Sequence, residues 1–227
     1  MFVFPNDKLV RVAEAFVGEY ASGKSEIAIN RALELLSEHR LVTLADLDTV
    51  EPFYTIRPLK EMLEKKGLYV VGLSREEAFG LGETGAMLSP QARWVLKREG
   101  NIIIDVGYGV HGARTLNLVE GAYESKELEI IAVINYCRPM TNSVSRIKEY
   151  LHELGGVDAI VANTHLGDAT NVKDIVDGNE VIIEAALANN IPIKYCSVDC
   201  KLKSEFSKLQ INWPVKYIRR YMPQALW

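Results

Sequence analysis

The segment Gly18-Glu19-Tyr20-Ala21-Ser22-Gly23-Lys24-Ser25 constrains the fold more than any other stretch of the chain. It fits G-x-x-x-x-G-K-[ST] at every fixed position. Such a loop must curl successive backbone N–H groups around phosphate oxygens, and glycines permit the close approach. Lys24 then brings a positive charge to the β- and γ-phosphates, in a catalytic as well as a binding role. Ser25 offers a hydroxyl to Mg²⁺. A helix has to follow, so that its positive end faces the anion. All eight loop residues, with Glu26 next in line, are candidate nucleotide contacts. A glycine turn before an amphipathic helix can match this pattern by chance, and the flanking elements decide between the two.

Those flanks have the required form. Val10 to Val17 is apolar and β-branched and reads as a strand, with Glu14 set awkwardly inside it. Residues 24–37 place Ile29, Leu33 and Leu36 on one helical face. Further strands are expected over Leu41–Ala45, Tyr69–Leu73, Ile102–Val106, Leu128–Ile134, Ala159–Ala162 and Ile193–Val198. Helices are expected over Pro58–Lys66, after Ser89, over 144–154 with Thr141 as cap, and over Glu180–Asn189. Residues 74–89, with Gly80, Gly82 and Gly85, read as irregular. Strands alternating with helices imply an α/β fold with a mostly parallel sheet and helices on both faces, the three layers of a P-loop NTPase. Ligands of such sheets bind at the carboxyl ends of the strands.

Bulk properties fit one domain over 1–227, with a C-terminal tail at about 211–227. The hydrophobic share is 48% and the charged share 25%, which suits a sizeable core. A net charge of −4 gives no nucleic-acid signal. The start, MFVFPNDKLVR, lacks the apolar core of a signal peptide, and no run approaches the ~20 residues of a membrane span. A cytoplasmic protein is expected, with Cys137, Cys196 and Cys200 as free thiols. Cys196 and Cys200, spaced C-x-x-x-C, fit either packing or a metal site. The tail's WPVKYIRRYMPQALW fits either packing on the domain or a short helix docking on a membrane or partner.

Carboxylates stand where the fold rule wants them. Ala45-Asp46-Leu47-Asp48 and Ile104-Asp105-Val106-Gly107 each follow a buried apolar run. Mg²⁺ is usually held by one or two carboxylates together with phosphate oxygens and water. Asp105 suits a direct or water-mediated Mg²⁺ contact, Asp46 a Mg²⁺-bound water, and Asp48 the orientation of an attacking water.

Together GEYASGKS, LADLDTVEP and IIIDVG resemble the MinD/ParA/CobQ-like P-loop ATPases, over roughly residues 9–200. The resemblance implies that Asp46 and Asp48 form the Asp-x-Asp serving Mg²⁺ and hydrolysis. It also implies that Asn163, in NTHLGD, reads the nucleotide base. The guanine-type pattern NKxD is absent there, which favours ATP. One departure stands out: the family's early loop lysine, which acts across a nucleotide-bridged dimer, is Glu19 here. A carboxylate cannot do that work. Other homodimers stay open.

Arg138, in NYCRPMT, suits a phosphate, a substrate anion or a salt bridge. His111 and Arg114 lie in a glycine-rich stretch after Asp105 that reads either as a switch or as an incidental flexible loop. Two functions follow. One is an Mg-ATP switch with slow ATPase activity, read by a protein partner. The other is an ATP-dependent ligase or kinase acting on a small molecule, of the dethiobiotin synthetase or cobyrinate amidase type.

Overall fold

Parallel strands buried on both faces form the frame of the molecule. The computed structural model describes residues 10–48, 56–72 and 88–222. Its sheet has eight strands in the order β3-β2-β4-β1-β5-β6-β7-β8. They are β1 (Ala13–Gly18), β2 (Val42–Leu47), β3 (Tyr69–Val71), β4 (Asn101–Val106), β5 (Leu128–Ile134), β6 (Ala159–Ala162), β7 (Ile193–Asp199) and β8 (Val215–Ile218). Every pairing is parallel.

Alternation along each strand sorts side chains into two cores. Ala13, Ala15 and Val17 of β1 join Ile102, Ile104 and Val106 of β4 on one face. That face is covered by a 3₁₀ helix over Pro90–Lys97, by α4 (Val144–Leu154) and by α5 (Val172–Ala188), with the short α3 (Gly109–Ala113) beside them. Phe16, Leu44 and Ile103 turn the other way, onto α1 (Lys24–Ser37) and α2 (Lys60–Lys65). A small third cluster forms where α6 (Lys203–Phe206) brings Phe206 against Val198 and Ile175. Helices thus cover both faces, as the alternating pattern requires.

Glu14, awkward in sequence, is 1% exposed and points to the α1 face. It is matched there by Arg31 at 2.9 Å and Lys194 at 2.8 Å. Glu129 pairs with the same lysine, and Glu34 with Arg31 and Lys216. Three acids and three bases balance in one network.

Several expectations change. The helix expected from Glu180 starts at Val172, behind a reciprocal cap between Asn171 and Asp174. Weak helix formers in its first turns hide that start. Ser143, rather than Thr141, caps α4 by accepting from the Arg146 N–H, while the Thr141 hydroxyl donates to the Asn135 carbonyl at 2.6 Å. The tail segment read as a possible helix is strand β8, paired with β7. Val215 and Tyr217 face the Phe206 cluster and Ile218 the α1 face, a period of two. Residues 74–87 of the irregular stretch lie outside the described residues, as does the end of the tail after 222. Among the described residues, no helix is long and apolar enough to cross a membrane.

Candidate phosphate-binding site

Gly18 ends β1 and Lys24 opens α1, so the loop bridges strand and helix at the carboxyl edge of the sheet. Gly23 sits at φ 86, and a Cβ there would meet Asn163 Nδ2 at 2.2 Å. Only glycine fits that turn and that neighbour. Ala21 also has a positive φ, 53, without glycine's freedom. Within the loop the Ser22 N–H donates to the Glu19 carbonyl at 3.1 Å. Glu19 accepts from the Tyr20 N–H at 3.0 Å, so its carboxylate turns back on its own backbone. Tyr20 meets Tyr108 edge-on at 5.3 Å, and the Lys24 ammonium lies 5.9 Å from the centre of the Tyr108 ring.

Strand register brings the carboxylates together. Asp46 of β2 is the direct partner of Asp105 of β4. Both share parity with Leu44 and Ile103, so both face α1 and the Ser25 side of the loop. Asp105 is fully buried, and among the described residues neither of its oxygens has a hydrogen bond of standard geometry. Burial pushes its carboxyl up to about 8. The Lys24 ammonium and Ser25 hydroxyl pull it back down, while Asp46 and Asp48 push it further up. Asp46 is held differently. It accepts from the Asp48 N–H at 2.9 Å and lies 3.4 Å from Arg57 Nε. The same guanidinium donates to the Asp48 carbonyl. No motif in the sequence points to Arg57, which opens a three-residue 3₁₀ turn, Arg57–Leu59, just before α2.

The residues fit Mg²⁺ on these grounds. A buried carboxylate with no hydrogen bond of standard geometry among the described residues stands beside the serine that the loop motif assigns to the ion. Among the described residues, no group of three or more His, Cys, Asp or Glu can hold a metal unaided. That agrees with an ion carried mainly by phosphate and water.

Beside the loop, a cleft of ≈ 470 Å³ is lined by Gly23, Glu26, Asn163, Asp199 and Arg220 among others. Asn163 braces more than it reaches. Its amide donates to the Ser22 carbonyl at 2.7 Å and accepts from the Ser197 hydroxyl. Glu26 accepts from the backbone N–H groups of Tyr221, at 2.8 Å, and Met222, at 2.7 Å, and burial raises its pKa. The chain after β8 therefore forms a wall of this cleft, a link across 195 residues that no local pattern signals. His165 keeps partial surface exposure, but its Nε2 is covered. Burial and the nearby Arg138 charge push it down to about 4, against a contact with the Ser22 backbone that raises it.

The fold is that of a P-loop NTPase. The chain is similar to the signal recognition particle receptor FtsY of Elizabethkingia anophelis, at 17% identity and TM-score 0.58 over 83% of this chain and 59% of that one. It is similar to the cell division protein FtsY of Thermotoga maritima, at 18% identity and TM-score 0.53 over 86% and 63%. It is also similar to the signal recognition particle 54 kDa protein of Aeropyrum pernix K1, solved in complex with GDP, at 22% identity and TM-score 0.53 over 86% and 42%. The chain spans less than two thirds of the length of each. No protein-family model and no curated protein matches the sequence. The resemblance to MinD/ParA/CobQ-like ATPases read from the motifs is thus supported as far as the shared P-loop fold, and these similar structures do not confirm that particular group.

The remaining candidates are dispersed. Among the described residues Arg138 has no ion pair: its Nε donates to the Ala21 carbonyl at 3.0 Å. His111 and Arg114 are exposed on and just after α3. A Cβ on Gly112 would lie 2.2 Å from the Gly107 backbone, so Gly112 lets α3 pack closely on the end of β4, whereas Gly109 has open space around it and a positive φ, 70. Cys196 is buried, Cys200 exposed, and both are free thiols.

Proposed function

We propose that this chain binds Mg-ATP in the Gly18–Ser25 loop, hydrolyses it slowly, and uses the bound state to govern contact with a protein partner. The observation that carries this reading is Asp105, buried and short of partners beside Ser25 and Lys24. In the proposed complex Lys24 neutralises the β- and γ-phosphates, and Ser25 ligates Mg²⁺. Asp105 and Asp46 hold its waters. Asp48 orients the water that attacks. Bound Mg²⁺ adds the positive charge that offsets charge building on the transferred group.

ATP is preferred because Leu166, rather than an aspartate, follows Asn163 at the NKxD spacing, and Leu166 is 42% exposed. Asn163 also keeps a second amide hydrogen and a second lone pair for a base edge. A second reading, GTP, is favoured by Asp199 in the cleft wall and by the GDP held in the similar Aeropyrum protein. Competition between the two nucleotides decides. ATP is expected to displace a bound fluorescent nucleotide at lower concentration than GTP, and the reverse order would transfer the assignment to GTP. Asp48→Asn is expected to slow turnover at least about tenfold while altering affinity less. Unchanged turnover would return Asp48 to a loop role. A switch requires hydrogen exchange over 107–116 to differ between Mg-ATP and Mg-ADP. Identical exchange would sink it.

A further inference from the structure

Ala21 is a non-glycine residue held at φ 53 in the middle of the phosphate loop. Left-handed backbone costs an alanine about 1–2 kcal/mol. Something must hold it there in the absence of ligand. Its carbonyl receives Arg138 Nε at 3.0 Å and, at the longer distance of 3.4 Å, Asn135 Nδ2. Asn135 is in turn fixed by donating to the His165 carbonyl at 3.0 Å and accepting from the His165 N–H at 3.1 Å. The next carbonyl, that of Ser22, is taken by Asn163. These partners follow β5, which neighbours β1 in the sheet, and β6, the next strand along. Arg138 Nη2 is buried without a hydrogen bond among the described residues, and burial lowers the guanidinium pKa. A half-buried guanidinium that gives its Nε to one loop carbonyl is placed to hold that carbonyl.

We propose that Arg138 is a positioning residue that holds Ala21 in its left-handed conformation and so keeps the phosphate loop open for ligand. It acts through the loop carbonyl and does not touch phosphate. With both carbonyls drawn outward, the loop N–H groups are left facing the position of the anion. This role rests on the phosphate-loop reading above.

The test is a double-mutant cycle between Arg138→Met and Ala21→Gly, read in two ways. Calorimetry with Mg-ATP is expected to show about a tenfold loss of affinity from R138M in the Ala21 protein, the size of a lost charge-assisted hydrogen bond. In the A21G background the same change is expected to cost about twofold, because glycine adopts φ > 0 unaided. An equal loss in both backgrounds, or no loss in either, overturns the proposal; the first outcome means that Arg138 contacts the ligand itself. The second readout needs no nucleotide. A21G is expected to raise the unfolding midpoint by about 2 °C when Arg138 is present, and to give less or none of that rise with R138M. An equal rise in both overturns the clamp. If the unmutated chain fails to bind Mg-ATP and Mg-GTP, the phosphate-loop reading fails, and the midpoints still decide the clamp separately.

Discussion

Glu14 and Asp105 are buried carboxylates on adjacent strands, β1 and β4, and both point to the α1 face. Glu14 lies toward the amino end of its strand and is answered by Arg31 and Lys194. Asp105 lies at the carboxyl end and, among the described residues, has no hydrogen bond of standard geometry. Desolvation opposes both charges. The folded chain answers the first with two ion pairs and offers the second only the Lys24 ammonium and Ser25 hydroxyl of the phosphate loop. The difference separates a carboxylate that belongs to the architecture from one kept for a ligand.

Substitution should expose that difference most strongly. Glu14→Ala is expected to destabilise the protein by about 3 kcal/mol, since it leaves two buried cations short of a partner. Asp105→Asn is expected to raise nucleotide-free stability at neutral pH, while weakening Mg-dependent nucleotide binding. Denaturant unfolding without nucleotide measures both changes. Losses of similar size at the two positions would erase the distinction.

A pH series sharpens it. The Asp105 carboxyl is raised from 3.8 to about 8, so the folded state holds its proton more tightly than the unfolded chain. Its contribution to stability is therefore full below about pH 4 and is lost as pH rises toward 8. D105N should flatten that slope in unfolding measured from pH 4 to 8. A slope that survives D105N assigns the effect to other groups.

The smallest expected effect belongs to His165, depressed from 6.5 to about 4. Its neutral form is favoured in the fold, so stability is present above pH 6.5 and is lost as pH falls through 4. After allowance for its partial exposure the loss is on the order of 1 kcal/mol. His165→Gln should remove it, and an unchanged acid limb would show that other groups carry that limb.

How much could be read in advance follows the same division. Parallel strands buried on both faces are continuous apolar runs, so Leu128–Ile134 and Ala159–Ala162 are legible residue for residue. The phosphate loop and the strand-end aspartates are local patterns too. Glu14 is not legible, because its partners lie on α1 and β7, and Lys194 is 180 residues away. The bracing of the loop by Asn135, Arg138 and Asn163 is hidden for the same reason. The base-reading role expected of Asn163 says nothing of its bonds to the Ser22 carbonyl and from the Ser197 hydroxyl, which join it to residues far along the chain. β8 is hard to read because only Ile218 of its four residues is buried, and the other three, two of them Lys216 and Tyr217, are half-buried.

The central claim, that Gly18–Ser25 binds the phosphates of a magnesium nucleotide, is tested most directly by calorimetric titration of Mg-ATP into the unmutated chain and into Lys24→Ala. The account predicts Mg-dependent binding to the first and no detectable binding to the second, with both proteins unfolding cooperatively. Equal affinity for the two would contradict it.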